Sequence, residues 1–243
     1  MNAQNTDLLL TMNKWDYRLA GREKLGKRVD WIPGMGLDCH RLNTATADDG
    51  ASLRKSLGIS EKAFVLIFAA EFSRRKSHHI LIQAMRLLPE NVVLLLPGDG
   101  NLLEQCRAAV GRFNLSRRVI MPGYIEDIAP WYRAADAAVT SSRSEGLPFN
   151  VMEAMYMGLP VTASAVKGNE DLIRHEENGL LYPYGDAEEL AACITRLLSD
   201  ANLRQALARN ARQAVQRYAL ENVLSEVMEK YLSALLPETD SMK

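Results

Sequence analysis

The chain has 243 residues, 47% hydrophobic and 24% charged, with 29 Lys and Arg against 30 Asp and Glu. That length holds one large domain or two smaller ones, and that composition buries a real core. A net charge of -1 excludes a bulk electrostatic case for nucleic acid or an anionic membrane as partner.

In chain order, residues 6–13 (TDLLLTMN) read as a strand, 14–25 as a helix and 27–38 (KRVDWIPGMGLD) as a strand and turn. The run Leu8, Leu9, Leu10 is too short for a signal-peptide core, and no run elsewhere reaches transmembrane length. The basic residues here, Lys14 to Arg28, are mixed with acids and read as a solvated face. Residues 44–50 (TATADDG) read as a connection. Strands follow at 63–69 (AFVLIFA), 91–97, 117–124, 136–142 and 159–164, with a short one at 179–183. Helical patterns at 77–88, 101–113, 126–135, 147–158 and 169–175 separate them, Pro130 fitting a first turn and Gly158 a helix stop. The tail reads as helices at 186–200, 201–219 and 221–236, then a frayed end at 237–243. Continuous apolar strands alternating with helices predict an α/β fold: a Rossmann-like parallel sheet with helices on both faces and a helical C-terminal tail. Such sheets bind ligands beyond the carboxyl ends of their strands. That rim would carry Glu71, Asp99, Tyr124, residues 141–147 and residues 165–168.

Residues 144–154 (SEGLPFNVMEA) place Glu145 and Glu153 eight positions apart. Pro148 suits a first helical turn, so Glu145 would lie just ahead of a helix and Glu153 within it. The free N–H groups of Gly146, Leu147, Phe149 and Asn150 would face an anion, aided by the helix dipole. Taken alone, the pair equally describes a cap carboxylate and a surface glutamate. Arg74, Arg75 and Lys76 follow the first strong strand, where cations could neutralise a diphosphate. Gly98 and Gly100 permit a tight turn in PGDG, which is not G-x-G-x-x-G. His40, His78, His79 and His175 show no metal-ligand spacing, and no serine stands in a G-x-S-x-G elbow. Cys39, Cys106 and Cys193 are odd in number and scattered, and read as reduced thiols of a cytosolic protein.

Together these segments resemble the nucleotide-sugar-binding half of GT-B glycosyltransferases, in the large retaining family four (glycosyl transferases group 1). The likeness runs over about residues 30–200: IPGMGLD (32–38), RRKSHHILIQAM (74–85), PGDG (97–100), VIMPGYIEDI (119–128), the E-x7-E segment 135–164 and GNEDLIRHEENGLLYP (168–183), in that order. It is nearest to members that build capsular and other bacterial surface polysaccharides. The resemblance implies that Glu153 holds the donor's ribose hydroxyls and that Glu145 contacts the donor sugar with the backbone of 146–150. Lys76 would bind the diphosphate and stabilise the leaving group, and Gly123 and Tyr124 would border the base. Many members have Gly-Arg where this chain has Ala70-Glu71; Arg75 is assigned the second positive charge. Asp171 stands where a glutamate is usual.

The resemblance divides the chain into 1–40, a remnant of an N-terminal acceptor domain with the interdomain turn; 41–200, the nucleotide-sugar-binding domain; and 201–243, the C-terminal helices. The implied reaction is transfer from a nucleotide-diphosphate sugar to a saccharide or lipid-linked acceptor, with no metal or other cofactor, in the cytoplasm or at the inner face of the membrane. Two alternatives stay open: a nucleotide-sugar-binding module that needs a separate N-terminal half, and a GT-B-type epimerase.

Overall fold

The computed structural model describes residues 3–235, which fall into two compact units, 39–216 and the pair of segments 3–38 and 217–235. The expected frayed end at 237–243 lies outside the described residues.

The smaller unit opens with β1 (Leu8–Thr11), α1 (Lys14–Arg22) and β2 (Arg28–Trp31). The two strands pair in parallel, Leu8 opposite Arg28 and Thr11 opposite Trp31. Asn13 caps α1, its side chain accepting from the Asp16 N–H at 2.8 Å.

In the larger unit, residues 44–50 are not the expected connection. Thr46 begins a capping box: its hydroxyl accepts from the Asp49 N–H, and the Asp49 carboxylate accepts from the Thr46 N–H at 2.7 Å. That starts α2 (Ala47–Ser56) inside the polar stretch. The chain continues through β3 (Phe64–Ile67), α3 (His78–Met85), β4 (Val92–Pro97), α4 (Leu103–Arg112), β5 (Val119–Gly123), α5 (Ala129–Arg133) and β6 (Ala137–Thr140). It then runs through α6 (Phe149–Tyr156), β7 (Val161–Ser164), α7 (Asn169–Leu172), β8 (Leu180–Tyr182), α8 (Ala187–Ser199) and α9 (Ala201–Val215). The last helix, α10 (Leu220–Leu235), returns to the smaller unit, where Lys230 pairs with Asp30 at 2.9 Å. The segment expected as 201–243 is thus divided between the two units.

All six strands of the main sheet are parallel, in the order β5-β4-β3-β6-β7-β8. The chain winds outward from β3 to β5, returns to the centre at β6 and winds outward the other way. Right-handed crossovers in opposite directions place α3 and α4 on one face and α6 on the other. α8 packs on α3 and α9 on α6, so both faces are covered. Val65, Leu66, Ile67, Leu94 and Leu95 are at most 1% exposed, as strands buried on both faces require. The winding reverses between β3 and β6, and the crevice beyond their carboxyl ends is where an open α/β sheet takes its ligand.

Candidate active site

The turn between β3 and α3 and the loop between β6 and α6 meet at that crevice. Ser141, at the end of β6, donates to the carbonyls of Lys76 at 3.0 Å and Ser77 at 3.1 Å. The Arg143 N–H donates to the Arg75 carbonyl at 2.8 Å. Ser77 takes a left-handed conformation, φ 51°, which ends the turn at the start of α3. These bonds bring the RRK turn against Glu145, 69 residues later in the chain. Glu145 is 6% exposed; Lys76 donates to its Oε1 at 2.6 Å, and Arg75 Nη1 donates to Oε2. Lys76 is itself 8% exposed. Burial lowers its ammonium below the ordinary lysine value, and the charge and hydrogen bond of Glu145 oppose that drop.

A third loop closes on the same acid. Gly168, after β7, has φ +84°, and a Cβ there would lie 2.8 Å from both Glu145 Cβ and the Gly146 carbonyl oxygen. Only glycine fits that backbone and that approach. Asn169 behind it donates to the Ser164 carbonyl at 2.9 Å, and Ser164 donates to the Ser142 carbonyl at 2.6 Å, tying this loop to the one that carries Glu145.

Leu147 and Pro148 are buried, and Phe149 is half exposed. Pro148, expected within the first turn, is the N-cap, and α6 starts at Phe149. The spacing between the two glutamates is therefore a non-helical stretch through Pro148 and about one helical turn. The first N–H groups of α6, from Phe149 and Asn150, have no intrahelical acceptor and point out of the helix start. Glu153 lies one turn inside, where Tyr132 donates to its Oε2 at 2.8 Å and Arg41 approaches Oε1 at 3.7 Å. Burial first, then the charge of Glu153 and its hydrogen bond, hold the Tyr132 phenol well above its ordinary value, so it stays a donor. The structure thus joins Lys76, Arg75 and Glu145 in one cluster and places Glu153 in a second, with residues 146–150 between them. Gly123 ends β5, two strands from β3 on the same rim, and Tyr124 follows it, 75% exposed. Ser141 lies on the expected rim; residues that sequence reasoning missed are Tyr132 and Arg41, each acting through Glu153 more than 20 positions away, which no local spacing signals.

An open, doubly wound parallel sheet with its charged cluster at the switch point is here the carboxyl-terminal half of a GT-B glycosyltransferase fold. A crystal structure of HepE from Anabaena with UDP and glucose superposes with a TM-score of 0.85 at 28% identity, over 93% of this chain and 63% of that one. The chain belongs to the glycosyl transferases group 1 family, whose model matches residues 49–214. EpsD of Bacillus subtilis (strain 168) is 32% identical over 208 residues, 84% of this chain and 55% of that protein. The lipopolysaccharide core biosynthesis glycosyltransferase LpsE of Rhizobium meliloti (strain 1021) is 34% identical over 155 residues, 64% of this chain and 45% of that protein. The chain spans about half the length of these curated relatives. No helix among the described residues is long and apolar enough to cross a membrane.

Proposed function

We propose that this chain is the donor-binding part of a retaining glycosyltransferase that moves a sugar from a nucleoside diphosphate sugar to a saccharide or lipid-linked acceptor. The product would be a surface polysaccharide, assembled in the cytoplasm or at the inner membrane face. The observation that carries the reading is the buried Lys76–Glu145 pair at the sheet's switch point, beside the free N–H groups that open α6. An ammonium has three donors. With one on Glu145, two remain for the oxygens of a diphosphate. In the reaction the bond from the anomeric carbon to the diphosphate oxygen breaks, its electron pair passing to the diphosphate, and the acceptor hydroxyl oxygen bonds to the carbon while its proton passes to the departing diphosphate oxygen. Lys76, Arg75 and the α6 terminus stabilise the charge that develops on the leaving group, without a metal ion. Glu145 contacts the sugar and orients Lys76, Glu153 accepts from the ribose hydroxyls, and Gly123 and Tyr124 border the base. Residues 1–40 are read as belonging to an acceptor-binding domain and 41–200 as the donor domain.

Calorimetry with UDP and UDP-glucose tests this reading. Binding is expected, unchanged by EDTA, and Lys76→Ala should lose most of it. Equal affinity in Lys76→Ala would remove the lysine from its role. The alternative reading is a module that binds donor without turnover until an acceptor half is supplied. Saturable donor binding with no hydrolysis or transfer distinguishes it.

A further inference from the structure

A groove of about 460 Å³ runs between α3 and α4 and is lined by neither Lys76 nor Glu145. At the rim end its wall carries Arg74 and Arg143, from loops joined by the Arg143-to-Arg75 backbone bond, and His79. No carboxylate lines it. Neither arginine has an ion-pair partner among the described residues. The wall also carries the apolar side chains of Leu102, Ile82 and Phe113, and Arg112 lies over the Phe113 ring at 5.2 Å.

We propose that this groove binds a phosphate ester with an apolar body, the phosphate at Arg74, Arg143 and His79 and the body along Leu102, Ile82 and Phe113. Arginine forks suit phosphate oxygens, and Leu102, Ile82 and Phe113 remove a hydrocarbon or aromatic group from water. The site is distinct from the crevice of Lys76 and Glu145, but it shares the turn of residues 73–77 with it.

Phenyl phosphate, titrated into the 15N-labelled full chain and followed by amide shifts, tests the assignment. Shifts are expected at Gln83, Gln105 and Phe113, with at least fivefold weaker binding for inorganic phosphate. Arg143→Ala should weaken phenyl phosphate at least fivefold. Gln105→Trp, which fills the groove from an exposed position, should abolish binding while leaving the rest of the spectrum folded. Saturating UDP should leave the titration unchanged. An absence of shifts, equal binding by both variants, equal affinity for inorganic phosphate, or displacement by UDP would each overturn the proposal. Because UDP is a separate arm, failure of UDP to bind counts against the donor-site reading and leaves this one standing.

Discussion

Glu145→Gln removes one charge from a pair of which both members are buried. The Lys76 side chain is 10% exposed and that of Glu145 5%, whereas the Arg75 side chain is 49% exposed. Arg75 can turn to water when the carboxylate is lost; Lys76 cannot, and it keeps an ammonium in a desolvated position. The glutamine also sets an NH2 against one of the two donors. Breaking a buried pair by deleting one partner costs about 3–5 kcal/mol, and the escape of Arg75 places the expected loss near the lower end, about 3 kcal/mol at pH 7. The pH dependence follows from Lys76. Burial already holds its folded value below the unfolded one, and Glu145 opposes that drop. The substitution removes the opposition, so the folded value falls further. The unfolded chain then binds more protons between the two values, and the variant gains stability as pH rises. Urea denaturation followed by circular dichroism should give the largest penalty near pH 7 and one smaller by at least about 1 kcal/mol at pH 9.5. A companion Lys76→Met/Glu145→Gln double variant should recover part of the loss at pH 7. A penalty below about 1 kcal/mol, or one that does not move between these pH values, would refute the account of a buried, interdependent pair.

His78 is stacked on Phe72 at 4.0 Å, and burial, with the nearby charges of Lys76 and His79, pushes its value down to about 3. The unfolded chain therefore binds the proton first as pH falls below about 6.5, and native stability should drop by about 2 kcal/mol between pH 7 and pH 5 through this residue. His78→Phe should remove that component, and parallel loss in both proteins on urea titration would contradict it. Gly168→Ala, with a Cβ 2.8 Å from Glu145 Cβ at φ +84°, should cost about 2 kcal/mol or more. It should also weaken UDP binding; an unchanged melting temperature would show that the loop is not confined. Tyr132→Phe leaves Glu153 without its phenol donor, with an expected stability loss of about 1.5 kcal/mol and weaker binding of UDP. Calorimetry showing full affinity would detach Glu153 from the site.

Much of the larger unit was legible because buried parallel strands announce themselves. AFVLIFA and VVLLLP are apolar on every position, which only a strand covered on both faces tolerates at that length. The helix over 186–200 was equally plain, since Leu190, Ala191, Ile194 and Leu197 recur on one face and are buried. Boundaries moved by a few residues where ends are decided by caps: Pro148 proved to be the cap of α6, and α5 shrank to Ala129–Arg133. The missed helix α2 hid in Thr-Ala-Asp-Asp-Gly because those residues favour turns as strongly as helix starts, and only the reciprocal Thr46–Asp49 bonds resolve the choice.

Sequence alone was sufficient for the strands, for the helix that Glu145 precedes and for the residue types at the rim, because each depends on short-range pattern and turn chemistry. The pairing of Lys76 with Glu145, of Tyr132 with Glu153 and of Gly168 with the Glu145 backbone belongs to tertiary structure. Those contacts depend on β6 lying beside β3 and not beyond β5. Strand order in a parallel sheet is set by how whole helical layers pack, and no local segment encodes it.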